Sequence, residues 1–201
     1  RGPLMAPPRA GPDMQEIRPR LWLGSYPAAC DVPALADRGV THVLTLGVKA
    51  ELLGVRQWAR LPPSEQDPMC RLIVAVQDAS SARLDRHFEV CRAFIVEALG
   101  EEGGAVLVHC QAGVSRSPTV LAAHLMQEER LTAAQALGSI RSRRPGIRPN
   151  QGFLDLLRSL ELRIGTALPL KEASAAEAPA PAQDAEPGEA QPEALEQRAR
   201  G

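Results

Sequence analysis

Residues 105–109 read AVLVH, a short apolar run that offers water no polar side chain until its histidine. Such a run suits a central strand whose two faces are both covered, and covering both faces takes helices on each side of a sheet. The chain supplies them. Residues 117–129 open with Ser-Pro, which places Pro118 in the first helical turn, where its missing N–H costs nothing. Leu84, Phe88, Cys91, Ile95 and Leu99 recur at steps of three and four and predict an amphipathic helix over 84–99. Further helices fit 132–143 and 150–164, and a short one over 32–39 is stopped by Gly39. Strands are predicted at 21–25, 40–47 and 71–78, and EEGG at 101–104 turns the chain into the central strand. Strands alternating with helices predict an α/β sheet. Residues 48–70 fit a short helix followed by a loop.

Composition limits what surrounds this sheet. Aromatic residues make up only 3% of the chain, so its core must be built from Leu, Val, Ile and Ala. Residues 1–14 are rich in Pro, Gly and Ala and read as a disordered N-terminal arm. Residues 166–201 become an Ala/Glu/Pro tail too poor in large apolar side chains to offset its ordering entropy, and it too reads as disordered. One ordered domain is expected over 15–165. A formal net charge of −1 provides no global basic field for nucleic acid or anionic lipid. No apolar run is long enough to span a membrane, and the first residues lack the apolar segment of a secretory signal. The four cysteines, Cys30, Cys70, Cys91 and Cys110, are widely spaced, unlike a disulfide framework or a zinc site. They suit a reducing compartment, cytoplasm or nucleus, in which a free thiolate persists.

The stretch HCQAGVSRS at 109–117 gives the central strand its purpose. Ligands of α/β sheets sit at the carboxyl ends of strands, and Cys110 falls where this strand ends. Gln111, Ala112, Gly113, Val114 and Ser115 form a short loop, and Gly113 allows positive φ or a close backbone approach. A loop wound this way turns successive N–H groups inward as an anion nest, and the helix behind it adds its positive end. Arg116 adds a planar fork that matches two phosphate oxygens. The predicted object is a cradle for a tetrahedral dianion. A thiol at its base is drawn toward the thiolate, the form that attacks phosphorus, and the expected chemistry is a cysteinyl-phosphate intermediate hydrolysed by water. The Ser117 hydroxyl can hydrogen-bond the sulfur as it leaves.

The wording HCQAGVSRS resembles the His-Cys-x5-Arg-Ser signature of cysteine-dependent protein tyrosine phosphatases, and most of all their small, atypical dual-specificity branch. EIRPRLWLGS resembles the opening strand of those domains, ALADRGVTHVLTL their first helix and second strand, and RRPGIRPNQGFLDLL their last helix pair. The resemblance spans about residues 15–162. It implies the phosphatase fold, with a central mostly parallel sheet flanked by helices and a phosphate-binding loop between central strand and helix. It implies hydrolysis of phosphotyrosine and of phosphoserine or phosphothreonine in protein substrates, with no metal and no organic cofactor. The family places a general-acid aspartate on a loop some thirty residues before the cysteine. Asp78, which ends LIVAVQD, stands at that place; the competing Asp85 reads instead as a favourable charge in the first turn of a helix. The loop between them, QDASSARLD, has the small-residue composition of a mobile segment.

Other residues complete the expectations. Strand alternation turns His109 away from Cys110, so it is expected to support the loop rather than act as a base. Thr45 stands where the family commonly has an asparagine bracing the loop. His42, His87 and His124 share no ligand spacing. Cys91 lies on the apolar stripe and reads as core; Cys30 and Cys70 are candidates to trap an oxidised Cys110. Asn150 reads as the N-cap of the last helix. Arg141, Arg143, Arg144 and Arg148 form a basic patch, read as a solvated helix end or as an attractor for acidic phosphopeptides. The loop has no lysine to suit a polyphosphoinositide, and the balanced charge disfavours RNA. A phosphate-binding scaffold with weak catalysis, or a phosphatase of a non-protein phosphate such as RNA 5′-phosphate, remains the alternative. Oligomeric state is left open.

Overall fold

The computed structural model describes residues 13–47 and 69–165. A five-stranded sheet runs through them. Its strands are β1 (Met14–Arg18), β2 (Leu21–Gly24), β3 (His42–Gly47), β4 (Cys70–Ala75) and β5 (Val106–His109), in the spatial order β1-β2-β5-β3-β4. β1 pairs antiparallel with β2, and every other pairing is parallel. The apolar run at 105–109 thus lies at the centre of the sheet, and all four residues of β5 are buried. The sheet is mixed but mostly parallel, and it is flanked by helices.

Alternation along β5 divides the interior in two. Val106, Val108 and Cys110 join the larger core, with Leu44 and Leu46 of β3 and the long helices. Those helices are α3 (Phe88–Gly100), α4 (Arg116–Glu129), α5 (Ala133–Arg143) and α6 (Gln151–Ile164). Leu107 faces the other way, into a smaller core with Val43, Leu35, Ala28 and Ala29. Two short helices line that side, α1 (Tyr26–Cys30) and α2 (Val32–Ala36). α4 is buried continuously from Arg116 to Met126, which a helix tolerates only when neighbours surround it. A capping box between Thr132 and Gln135 starts α5. Among the described residues no helix is long and apolar enough to cross a membrane.

The structure departs from the sequence expectations in places. Asp13 and Met14, assigned above to the arm, belong to the fold, since Met14 opens β1 and is buried. β1 itself has no apolar run or alternation to announce it: MQEIR is an edge strand that buries only Met14 and Ile17, three residues apart. The helix expected over 84–99 begins as a 3-10 turn, Leu84–His87, before α3 proper. The strand expected to reach Asp78 ends at Ala75, so Asp78 lies on a loop. The rest of the arm, residues 48–68 of the helix and loop expected over 48–70, and the tail from 166 lie outside the described residues, while Cys70, expected in that loop, opens β4.

Leu44 is fully buried in the middle of β3, which β4 and β5 flank on either side. Leu44→Ala should lower stability by about 2–5 kcal/mol in urea unfolding, and a loss under about 1 kcal/mol would contradict this packing.

Candidate active site

β5 delivers Cys110 to the carboxyl edge of the sheet, and residues 111–115 wrap from there into α4. What shapes this loop is the fate of its carbonyls. The Gln111 carbonyl accepts from the Tyr26 N–H at 3.0 Å and the Val114 carbonyl from the Arg148 N–H at 2.7 Å. The Ser115 carbonyl accepts from the Thr119 hydroxyl at 2.7 Å. Between them, Arg144 donates through Nε to the Gly113 carbonyl and through Nη2 to the Ala112 carbonyl, both at 3.0 Å. Because a trans peptide sets N–H opposite C=O, five carbonyls drawn outward turn the following amides, those of residues 112–116, to the concave side. The loop offers an anion a lining of N–H dipoles at the start of a helix.

Gly113 has φ +67°, and a Cβ there would fall 2.5 Å from the Gly24 carbonyl oxygen, so both its conformation and its clearance require glycine. Arg144 is fixed in turn. Its guanidinium pairs with both carboxylate oxygens of Asp13, at 2.7 and 2.9 Å, and also donates to the Gln15 side chain. The Arg144 guanidinium holds the Asp13 carboxyl below the usual carboxylate range. This corrects the reading of the basic patch. Arg144 is buried and braces the loop, whereas Arg141, Arg143 and Arg148 are exposed. Sequence reasoning missed it because its partners are 31 and 131 residues away.

Inside the cradle the Ser117 hydroxyl donates to Cys110 Sγ at 3.2 Å, and both side chains are buried. Arg116 is buried beside them. It donates to the Val76 carbonyl at 3.3 Å, and its Nε lies 3.6 Å from Asp78 Oδ2. Asp78 therefore stands at the rim of the loop. Its Oδ1 accepts from the Ser115 hydroxyl at 2.8 Å and from the Asn150 side-chain amide at 2.9 Å. The loop carrying Asp78, whose composition suggested mobility, is thus held against α4 and α6. Asp85 is engaged elsewhere, in a two-point ion pair with Arg83 at 2.7 and 2.9 Å.

His109 points to the opposite face of the sheet from Cys110, under α1, where its ring lies 6.4 Å from that of Tyr26. Its Nδ1 donates to the Cys110 carbonyl at 3.2 Å, which leaves Nε2 to accept from the Thr45 hydroxyl at 2.7 Å. Thr45 therefore reaches the loop through His109, its partner in the β3–β5 register. Burial pushes the His109 imidazole down to about 4, and nearby arginines add to the effect, so the ring is neutral. Burial also pushes the Cys91 thiol up to about 12 and keeps it in the core as a thiol. Cys30 closes α1 and Cys70 opens β4, and all four cysteines are free.

The sequence matches the family model of the dual specificity phosphatase catalytic domain over residues 21–163. The chain belongs to the dual specificity phosphatase family. Its relatives include dual specificity protein phosphatase 1 of Arabidopsis thaliana, 39% identical over 145 residues, covering 72% of this chain and 67% of that protein. Dual specificity protein phosphatase 26 of Bos taurus is 35% identical over 154 residues, covering 76% and 69%. Among solved structures, human DUSP28 superposes with a TM-score of 0.65 at 31% identity, covering 78% of this chain and 97% of that one. A human tyrosine phosphatase-like serine/threonine/tyrosine-interacting protein superposes at 0.66 and 31%, covering 75% and 97%. The phosphatase fold is that of these neighbours, and the chain is a cysteine-dependent phosphatase of this family.

The buried neutral histidine has a measurable consequence in this phosphatase. The unfolded chain protonates His109 near 6.5, the folded chain only near 4, so the unfolded state binds the extra proton between those values. Its contribution is complete above pH 6.5 and is lost as pH falls toward 4. Over pH 7 to 5 this amounts to about 2 kcal/mol. His109→Gln should lose that share of the pH dependence in urea unfolding, and an unchanged slope would show that His109 is not its source.

Proposed function

We propose that the chain hydrolyses phosphotyrosine and phosphoserine or phosphothreonine in protein substrates through a cysteinyl-phosphate intermediate, with no metal or organic cofactor. The observation that carries this reading is the Ser117 hydroxyl bonded to the Cys110 sulfur at 3.2 Å, at the floor of a loop whose carbonyls are all engaged on its outer side. A phosphate seated there is bound by the amides of residues 112–116 and by the Arg116 fork, which places phosphorus in line with Cys110 Sγ.

In the first step the thiolate attacks phosphorus and a P–S bond forms. The P–O bond to the leaving group breaks, and Asp78 gives its proton to the departing oxygen. Such a positioned acid typically contributes ~10²–10⁴-fold. In the second step water attacks the cysteinyl phosphate, Asp78 takes its proton, and the P–S bond breaks. Ser117 donates a hydrogen bond to the sulfur as it regains its charge. Gln111, Ala112, Gly113, Val114 and Ser115 serve as the phosphate-binding loop, and His109 with Thr45 supports it. The exposed Arg141, Arg143 and Arg148 favour substrates with acidic residues near the phosphate, and the setting is cytoplasm or nucleus.

The test is turnover of p-nitrophenyl phosphate by the reduced protein. It should be vanadate-sensitive and abolished in Cys110→Ser. Arg116→Lys should cost at least about a hundredfold, because a point charge cannot supply the fork. Asp78→Asn should slow phenyl phosphate far more than dinitrophenyl phosphate. No turnover by well-folded protein would favour the phosphate-binding scaffold instead.

A further inference from the structure

The mechanism above gives no task to Asn150 or Gly152, yet both touch the loop that carries Asp78. Asn150 caps α6, its Oδ1 accepting from the Phe153 N–H at 3.0 Å. That bond fixes the orientation of the side-chain amide, so the NH₂ group faces away from the helix and donates to Asp78 Oδ1 at 2.9 Å. The Asn150 backbone N–H donates to the Ser115 hydroxyl at 3.2 Å, and that hydroxyl donates to the same Asp78 oxygen at 2.8 Å. Asp78 Oδ1 thus receives two donors. The other oxygen, Oδ2, is the one turned toward Arg116.

Gly152 acts by what it lacks. A Cβ at this position would fall 1.9 Å from the Ser80 carbonyl oxygen and 2.7 Å from Ser80 Cα. The backbone two residues after Asp78 therefore rests directly on the first turn of α6. No backbone torsion demands glycine here, since Gly152 lies inside a helix, where glycine is the poorer choice against alanine. Its place is explained by the approach of the acid loop.

We propose that the first turn of α6 is the platform that holds the general acid, with Asn150 as its positioning residue and Gly152 as the notch that admits the loop. This rests on Asp78 being the general acid. With Oδ1 saturated by Ser115 and Asn150, the transferable proton resides on Oδ2, on the side of the phosphate cradle. It passes from Oδ2 to the leaving oxygen as the P–O bond breaks, and Oδ2 recovers a proton from the attacking water in the second step. One side-chain amide thereby links the start of a helix to the aim of the acid.

The experiment compares kcat across aryl phosphates from dinitrophenyl to phenyl phosphate. Asn150→Ser keeps a capping oxygen and removes the NH₂ donor. It should cut kcat on phenyl phosphate about tenfold, a fraction of the full general-acid effect, and leave dinitrophenyl phosphate within about twofold. Gly152→Ala should give the same signature, although alanine favours the helix itself. Asn150→Asp also keeps the cap but sets a second carboxylate against Asp78; like charge disfavours ionisation, so the basic limb of its pH–rate profile should rise by about one pH unit. In an Asp78→Asn background, Asn150→Ser should add nothing to the leaving-group dependence. If Asn150→Ser lowers the melting temperature too far to assay, the pH profile of Asn150→Asp decides. Wild-type leaving-group dependence in Asn150→Ser, or an unmoved basic limb in Asn150→Asp, overturns the platform. If Asp78→Asn itself leaves the leaving-group dependence unchanged, the acid assignment falls and the platform with it; if only the Asn150 and Gly152 variants behave as wild type, the acid assignment stands.

Discussion

Five consecutive carbonyls, those of residues 111–115, each engaged by a donor, are the constraint on which this molecule depends. A peptide unit is rigid, so engaging its oxygen on one side commits the neighbouring N–H to the other. The donors that hold these carbonyls come from three parts of the fold: α1 through Tyr26, the α5–α6 connection through Arg144 and Arg148, and α4 through Thr119. The sheet and its helices are therefore the means by which a short loop is kept in a shape it would not hold alone. The amide-lined face costs little further rearrangement once the fold has formed, which is the sense in which such a loop is preorganised.

Positive charge at this site comes from few sources. His109 adjoins the cysteine in sequence, but burial keeps its ring neutral and its bonds run to Thr45 and the Cys110 carbonyl. Among the described residues, Arg116 is buried with Cys110 and Ser117, and Arg71 lies close enough to help keep the His109 ring neutral. Arg144, although close, directs its donors at carbonyls and at Asp13, so its charge is matched on the far side of the loop. The two buried arginines thus differ: Arg144 holds the loop backbone in shape, and Arg116 lies beside Cys110 and Ser117 with its Nε 3.6 Å from Asp78.

What was legible in the sequence was local. The apolar run of β5, the stripe of α3 and the Ser-Pro start of α4 each declare themselves within a few residues, and Cys110, Arg116 and Ser117 follow because they lie on one short connection. What escaped was set by distance along the chain. Arg144 read as one of several surface arginines, since nothing near it in sequence reveals Asp13 or the Ala112 and Gly113 carbonyls. Asn150 read as a helix cap, which it is, but its second bond goes to a residue 72 positions earlier. β1 and α1 were missed because an edge strand and a five-residue helix carry too little pattern to stand out. Thr45 lacked a partner until the strand order placed β3 beside β5.

The Asp13–Arg144 pair joins points 131 residues apart, and Gln15 on β1 shares the guanidinium. The match to the family model starts only at residue 21, after that clasp has been passed. A boundary drawn there would retain Cys110, Arg116, Ser117 and Asp78 and discard the acid that pairs with the loop's brace, Arg144. Arg144 would then carry an unmatched charge into a buried position, one of the more costly defects a fold can hold. The length this domain needs is therefore set from behind the site, by the Asp13 carboxylate just ahead of β1.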